Sequence, residues 1–186
     1  MTSTQEADVV DVLTSDHGEV TDLIAQIWAT EDPDHRRDLA DTVISEIVRH
    51  AVAEEMYVYP AMRQHLPSGD EAVEHDIDEH KQIERTMKDL EGVPATEPRF
   101  DELVRELAEL LAHHVADEES EQFPQLRANV PRDELVALAR KVELAKKIAP
   151  TRPHPSAPNS ELFHKLVGPG VGLVDRLRDK LTGRSA

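Results

Sequence analysis

Apolar residues recur with a period close to 3.6 along most of the chain, and no strand-like alternation interrupts them. Val10, Leu13, Val20, Ile24 and Ile27 share one stripe with His17, closed by the turn-forming string TEDPD. A second stripe, from about Asp38 to Gln64, carries Leu39, Val43, Ile47, His50, Glu54 and Tyr57 or Val58, and stops at LPSGD. The third holds Val73, Ile77, His80, Ile83 or Glu84, and Met87 before EGVPATEP; the fourth holds Leu103, Leu107, Leu110, His114 and Glu118. Four amphipathic helices with short connections favour antiparallel neighbours. The pattern therefore predicts an all-α fold, an antiparallel up-down-up-down four-helix bundle over residues 1–128. Residues 129–149 add a fifth amphipathic helix, from about Arg132 to Ile148, presenting Leu135, Leu138, Val142 and Ile148. Residues 150–186 comprise the Pro-rich linker TRPHPSAPN and a basic amphipathic C-terminal segment with Val171, Val174, Leu177 and Leu181 beside Arg176, Arg178 and Lys180. That segment is expected to fold back on the bundle.

The polar residues that interrupt these stripes are not random. HAVAEEMYVYP at His50–Pro60 and HVADEESEQFP at His114–Pro124 share the pattern H-x-x-x-E-E-x-x-x-aromatic-P. Each is preceded, 33 or 34 residues earlier, by a histidine that follows an acidic residue: His17 in SDHGEV and His80 in DEHKQI. Counting from the interhelical turns at a rise of about 1.5 Å per residue places His17, His50, Glu54, His80, His114 and Glu118 within roughly 3 to 6 Å of one level of the bundle. All six can converge.

An isolated His-x-x-x-Glu carries little weight, because 21 glutamates and 10 histidines among 186 residues should give about one such spacing by chance. The chain has four: His50 with Glu54, His75 with Glu79, His80 with Glu84, and His114 with Glu118. A lone histidine on an apolar stripe is more often a satisfied core residue than a ligand. Four at one depth, joined by two glutamates, reverse that preference, because buried carboxylates without a cation cost several kcal/mol per ion. A pair of metal ions supplies the missing charge. Glu55 and Glu119 are also repeated, but one residue rotates them about 100° off the stripe to a supporting position at the rim. Tyr57, three residues after Glu54, is read first as core packing, with support or extension of the ligand set as the alternative; Glu84 could add a carboxylate, although Thr21 occupies the equivalent position in the first helix. His35, His65, His75, His113, His154 and His164 are expected to be ordinary surface residues. Pro60 and Pro124 each remove a helical hydrogen bond and should kink or end their helices just past the site.

Composition narrows the chemistry. There is no cysteine, which excludes disulfides, thiolate zinc sites and iron–sulfur clusters. The N-terminus lacks an apolar signal region and no stretch approaches 18 apolar residues, so a soluble, cytoplasmic protein is expected. A net charge of -17, with -20 in residues 1–150 and +3 in residues 151–186, argues against nucleic acid as a partner. The short apolar face of the C-terminal segment, without an aromatic anchor, argues against a membrane partner. The sequence identifies no protein partner.

Taken together, a histidine in helix 1, H-x-x-x-E-E with aromatic-Pro in helix 2, E-H in helix 3 and H-x-x-x-E-E with aromatic-Pro in helix 4 resemble the haemerythrin-like HHE cation-binding family over about residues 8–126. The C-terminal extension is similar to that of actinobacterial members. The resemblance implies a four-helix bundle holding two iron ions with an oxo or hydroxo bridge, ligated by His17, His50, Glu54, His80, His114 and Glu118. Imidazole and carboxylate would equally accept manganese or zinc. Oxygen-carrying haemerythrins have H-x-x-x-H on one helix and five histidines, whereas this chain repeats H-x-x-x-E. The expected function is therefore binding of, or reaction with, oxygen or hydrogen peroxide, with catalase-like peroxide decomposition in oxidative-stress defence as the leading form. The alternatives are an oxygen, nitric oxide or iron sensor without turnover, and a purely structural metal site.

Overall fold

A computed structural model of the protein describes residues 6–154 together with Asp175 and Asp179, and among these residues every regular element is helical. Helix α1 spans Val9–Ala29 and starts on a reciprocal cap: the Asp8 side chain accepts from the Asp11 N–H at 3.0 Å, and the Asp11 carboxylate accepts from the Asp8 N–H at 2.9 Å. Helix α2, Pro33–Ala53, begins earlier than the stripe alone suggests. Asp32 caps it by accepting from the Asp34 N–H, and Pro33 fits the first helical position, where no N–H is needed.

Neither proline breaks its helix. Glu54–Val58 forms a π-helical turn between α2 and α3 (Tyr59–His65), and Glu118–Gln122 forms a second between α5 (Pro98–Asp117) and α6 (Phe123–Asn129). In each turn the carbonyl of the glutamate accepts from the residue five positions on, Tyr59 for Glu54 and Phe123 for Glu118. The expected kink or stop is thus absorbed as one extra residue in the helical turn, just upstream of each proline. Two long rods result, Pro33–His65 and Pro98–Asn129. With α1 and α4 (Gly69–Leu90) they make the four-helix bundle.

Its core is aliphatic, with Leu13, Ile27, Ile44, Leu90, Leu103 and Leu107 buried between the helices. The α3–α4 turn is tight enough to require glycine at position 69, where a Cβ would lie 2.1 Å from the Met62 carbonyl oxygen. At the other end Arg37 donates to the carbonyls of Leu90 and Val93, and the Arg36 and Arg37 guanidinium groups lie 5.0 and 5.3 Å from the Phe100 ring centroid. These contacts lock the α4–α5 connection against the start of α2.

Helix α7, Arg132–Ile148, packs on α1 and α2, burying Leu135, Leu138, Ala139, Val142 and Ala145. Ile148, expected on that face, is instead exposed at the helix end. Arg127 and Arg132 both reach buried Asp8, and Lys146 donates to Asp16 at 2.5 Å. No helix among the described residues is long and apolar enough to cross a membrane. The segment with Val171, Val174, Leu177, Leu181, Arg176, Arg178 and Lys180, and His164, lie outside the described residues.

Candidate metal centre

The structure brings the six sequence-predicted groups together, all buried. His17 Nε2 lies 3.3 Å from His50 Nε2, and His80 Nε2 lies 3.2 Å from His114 Nε2, so each half of the bundle contributes one pair of inward-facing imidazole nitrogens. The glutamates join the pairs crosswise. Glu54 places Oε1 3.2 Å from His50 Nε2 and Oε2 3.5 Å from His80 Nε2; Glu118 places Oε2 3.2 Å from His17 Nε2 and Oε1 3.6 Å from His114 Nε2. Two clusters result, His17–His50–Glu118 and Glu54–His80–His114. Both Glu54 oxygens and Glu118 Oε2 are buried and accept no hydrogen bond. A carboxylate in that state is costly unless a cation lies against it, so the donor set fits a pair of metal ions, one per histidine pair.

The outer ring nitrogens are equally ordered. His17 Nδ1 contacts Glu119 at 2.8 Å, His50 Nδ1 contacts Asp16 at 3.2 Å, His80 Nδ1 contacts Glu55 at 3.2 Å and His114 Nδ1 contacts Glu79 at 2.8 Å. Glu55 and Glu119 thus take the supporting role their repeat implies. Asp16 and Glu79 share that role although the repeated string does not contain them; the available signal is the acidic residue directly before His17 and His80. A carboxylate on Nδ1 holds the proton there and turns Nε2 inward as a donor for metal, fixing the ring as well as its tautomer.

The carboxylates also favour the protonated forms of the imidazoles they face. Burial disfavours the charged form of His50, but Glu54 and Asp16 outweigh it and push its pKa up to about 10. Burial likewise opposes charge on His80, yet Glu54 and Glu55 raise it well above the ordinary value. Glu54, although buried, is held well below the usual carboxylate range by His50 and His80. Metal ions would take over the work of those protons and displace them.

The π turns decide which aromatic meets the site. Adding one residue to the turn rotates the downstream helix by about 100°, so the residue five beyond each glutamate comes round to its side. Tyr59 places its hydroxyl 3.2 Å from His80 Nε2, and Phe123 stacks on His17 at 5.7 Å with ring planes 10° apart. Tyr57, the sequence-based candidate, instead faces α7, its ring 5.9 Å from Lys141 Nζ. Counting an uninterrupted 3.6 period past Glu54 selects the wrong tyrosine. Burial and the surrounding carboxylates raise the Tyr59 pKa well above 10, so its phenol keeps its proton.

Glu84 accepts from the His154 backbone N–H at 2.7 Å and belongs to neither cluster. Burial raises its pKa. His75 and His113 are exposed beside Glu79 and Asp117, and His35 is exposed. His65 is half-buried against Glu134 of α7, and His154 meets Asp175 at 2.9 Å, so neither is the free surface residue expected.

Comparison with known proteins agrees with this geometry. The sequence profile described as Hemerythrin HHE cation binding domain matches residues 8–126. The chain belongs to the haemerythrin HHE cation-binding family. A haemerythrin-like protein of Schizosaccharomyces pombe is 30% identical over 174 residues, covering 93% of this chain and 86% of that protein. A DNA nickase of Nostoc sp. is 28% identical over 142 residues, 76% of this chain but 40% of the nickase, so the chain spans less than half of that relative. The crystal structure of a hemerythrin HHE cation binding domain-containing protein from Mycobacterium kansasii superposes with a TM-score of 0.66 at 21% identity, covering 76% of this chain and 86% of that one. The family is one of metal-binding helical bundles, typically for iron.

Proposed function

We propose that the protein is a non-haem di-iron protein that reacts with dioxygen or hydrogen peroxide, with His17 and His50 holding one ion, His80 and His114 the other, and Glu54 and Glu118 spanning both. The observation that carries this reading is the crosswise placement of the two carboxylates, each with one oxygen toward either histidine pair. Two iron ions supply a couple able to take up or deliver two electrons together. The protein's part is to fix the donors and manage protons. Asp16, Glu55, Glu79 and Glu119 orient the imidazoles, and Tyr59 offers a protonated phenol beside His80.

Peroxide decomposition is the form of reactivity favoured by glutamate in both repeats, because a carboxylate-rich donor set stabilises the oxidised ions. A second reading, a sensor without turnover, draws on the chain His50–Asp16–Lys146, which links a proposed ligand directly to α7. Metal analysis with the visible spectrum of aerobically purified protein, before and after peroxide, tests both. Two irons per chain and sustained oxygen release support decomposition. A stable di-iron spectrum without turnover supports sensing, and absence of iron overturns the proposal.

A further inference from the structure

A cavity of about 420 Å³ lies between the four bundle helices, with the site histidines His17, His50, His80 and His114 in its wall. Most of the remaining wall is aliphatic, supplied by Val20 and Ile24 of α1, Ile47 of α2, Ile83 and Met87 of α4 and Leu111 of α5. Dioxygen or hydrogen peroxide would fill little of it, since a water molecule takes about 30 Å³ of liquid volume. Water is a poor filler here, because the aliphatic wall cannot satisfy its hydrogen bonds. Protein interiors are otherwise close-packed, so a void of this size reads as room kept for a ligand. By proportion to benzene's six carbons in a cavity of about 150 Å³, the space holds at most about 17 non-hydrogen atoms, so a ligand of about 12 to 16 fits within it.

The mouth is defined by small residues. Ala108, Ala112 and Ala116 lie one turn apart on α5 and line the cavity, and Ala112 is exposed. Ala108 and Ala112 also line a shallow cleft beside Trp28, the chain's single tryptophan, which is 45% exposed. The other end is polar. Asp16, Glu55, Glu84 and Glu119 line it together with the four histidines. A head group placed there meets imidazoles and carboxylates, whereas the rest of the wall offers mainly apolar contact.

We infer that this cavity binds an aliphatic molecule of about 12 to 16 non-hydrogen atoms, its chain among the α1, α2, α4 and α5 aliphatics and its polar head at the histidines. The inference deepens the proposed function by naming the class of organic ligand that reaches the centre, and it is tested apart from redox activity. Full-length protein, as purified and after chelation, is titrated with straight-chain 1-alkanols, following Trp28 fluorescence and calorimetric heat.

Saturable one-to-one binding is expected in both preparations, tightening about fourfold per added methylene up to roughly twelve carbons and then levelling. Ala112→Phe and Ala108→Phe, checked for helical content by circular dichroism, should each weaken 1-decanol at least tenfold. No saturable binding at any chain length, no gain in affinity with chain length, or unchanged affinity in both phenylalanine variants overturns the inference. Alkanol binding by a protein that takes up no metal would instead overturn the di-iron reading alone.

Discussion

The carboxylates on the outer histidine nitrogens should control metal affinity, and Asp16 offers the cleanest test. Its Oδ2 faces His50 Nδ1 at 3.2 Å while its Oδ1 accepts from Lys146 at 2.5 Å, and its pKa is lowered because His50 and Lys146 outweigh burial. A hydrogen bond to a charged group contributes about 1.5–3 kcal/mol. Asp16→Ala removes it entirely and leaves His50 free to rotate, so the loss in metal affinity should be about 10- to 100-fold, as for comparable supporting residues elsewhere. Asp16→Asn keeps an acceptor of similar shape but no charge; with neutral hydrogen bonds about half as strong as charge-assisted ones, the loss should be roughly fivefold. Lys146→Met leaves the Asp16–His50 contact intact and should cost less than either. Affinity is measured by competition with a chelator of known strength at fixed pH, alongside a thermal melt of each metal-free variant. An Asp16→Ala protein that melts like the parent and binds metal within twofold of it would refute the argument.

Removing metal should lower the melting temperature: a ligand present at about 100 times its Kd stabilises by about 2.7 kcal/mol, roughly 5–11 °C for a domain of this size, and scanning calorimetry with and without chelator reads it. Asp8→Ala loses both the α1 cap and the ion pairs with half-exposed Arg127 and Arg132, about 1–3 kcal/mol, whereas Asp8→Asn keeps the cap and should cost about 1 kcal/mol or less by urea unfolding. Burial would raise the Asp8 pKa, but Arg127 and the Asp11 N–H hold it below its ordinary value of 3.8. Its charge therefore stabilises the fold above about pH 4, a contribution lost as pH falls through the folded-state value, and Asp8→Asn should flatten the stability profile there. Gly69→Ala should destabilise by more than about 2 kcal/mol in the same urea assay, because its methyl would meet the Met62 carbonyl at 2.1 Å. Tyr57→Phe should leave the visible spectrum of the iron-loaded protein unchanged, while Tyr59→Phe should alter it.

Most of the bundle was legible because His17, His50, His80 and His114 sit on the same stripes as the core aliphatics, so one period specifies both fold and site. Glu54 and Glu118 were legible for the same reason, since each lies one turn past its histidine, where the helix is still regular. Tyr59 was not. It lies beyond a π turn, and the count that finds Glu54 misplaces everything after it. The missing N–H of Pro60 and Pro124 was visible, but a proline alone does not say whether a helix kinks, stops or widens. Asp16 and Glu79 escaped because they lie outside the repeated string, whereas Glu55 and Glu119, which also serve histidines on other helices, lie within it. Asp16 serves His50 from α1 and Glu79 serves His114 from α4, across interhelical contacts that linear spacing does not encode.

The crosswise glutamates have a consequence for how the molecule can be divided. Each histidine pair comes from one half of the bundle, yet each bears on an oxygen from both halves. A fragment ending near His65 would carry a histidine pair and a single carboxylate, with half of that carboxylate's reach directed at nothing. Two copies of such a fragment, packed as the two halves of the bundle are, would present two histidine pairs and two carboxylates, as the intact chain does. The covalent link between the halves therefore adds no ligand; it fixes the stoichiometry, converting an assembly that would depend on protein concentration into one that does not.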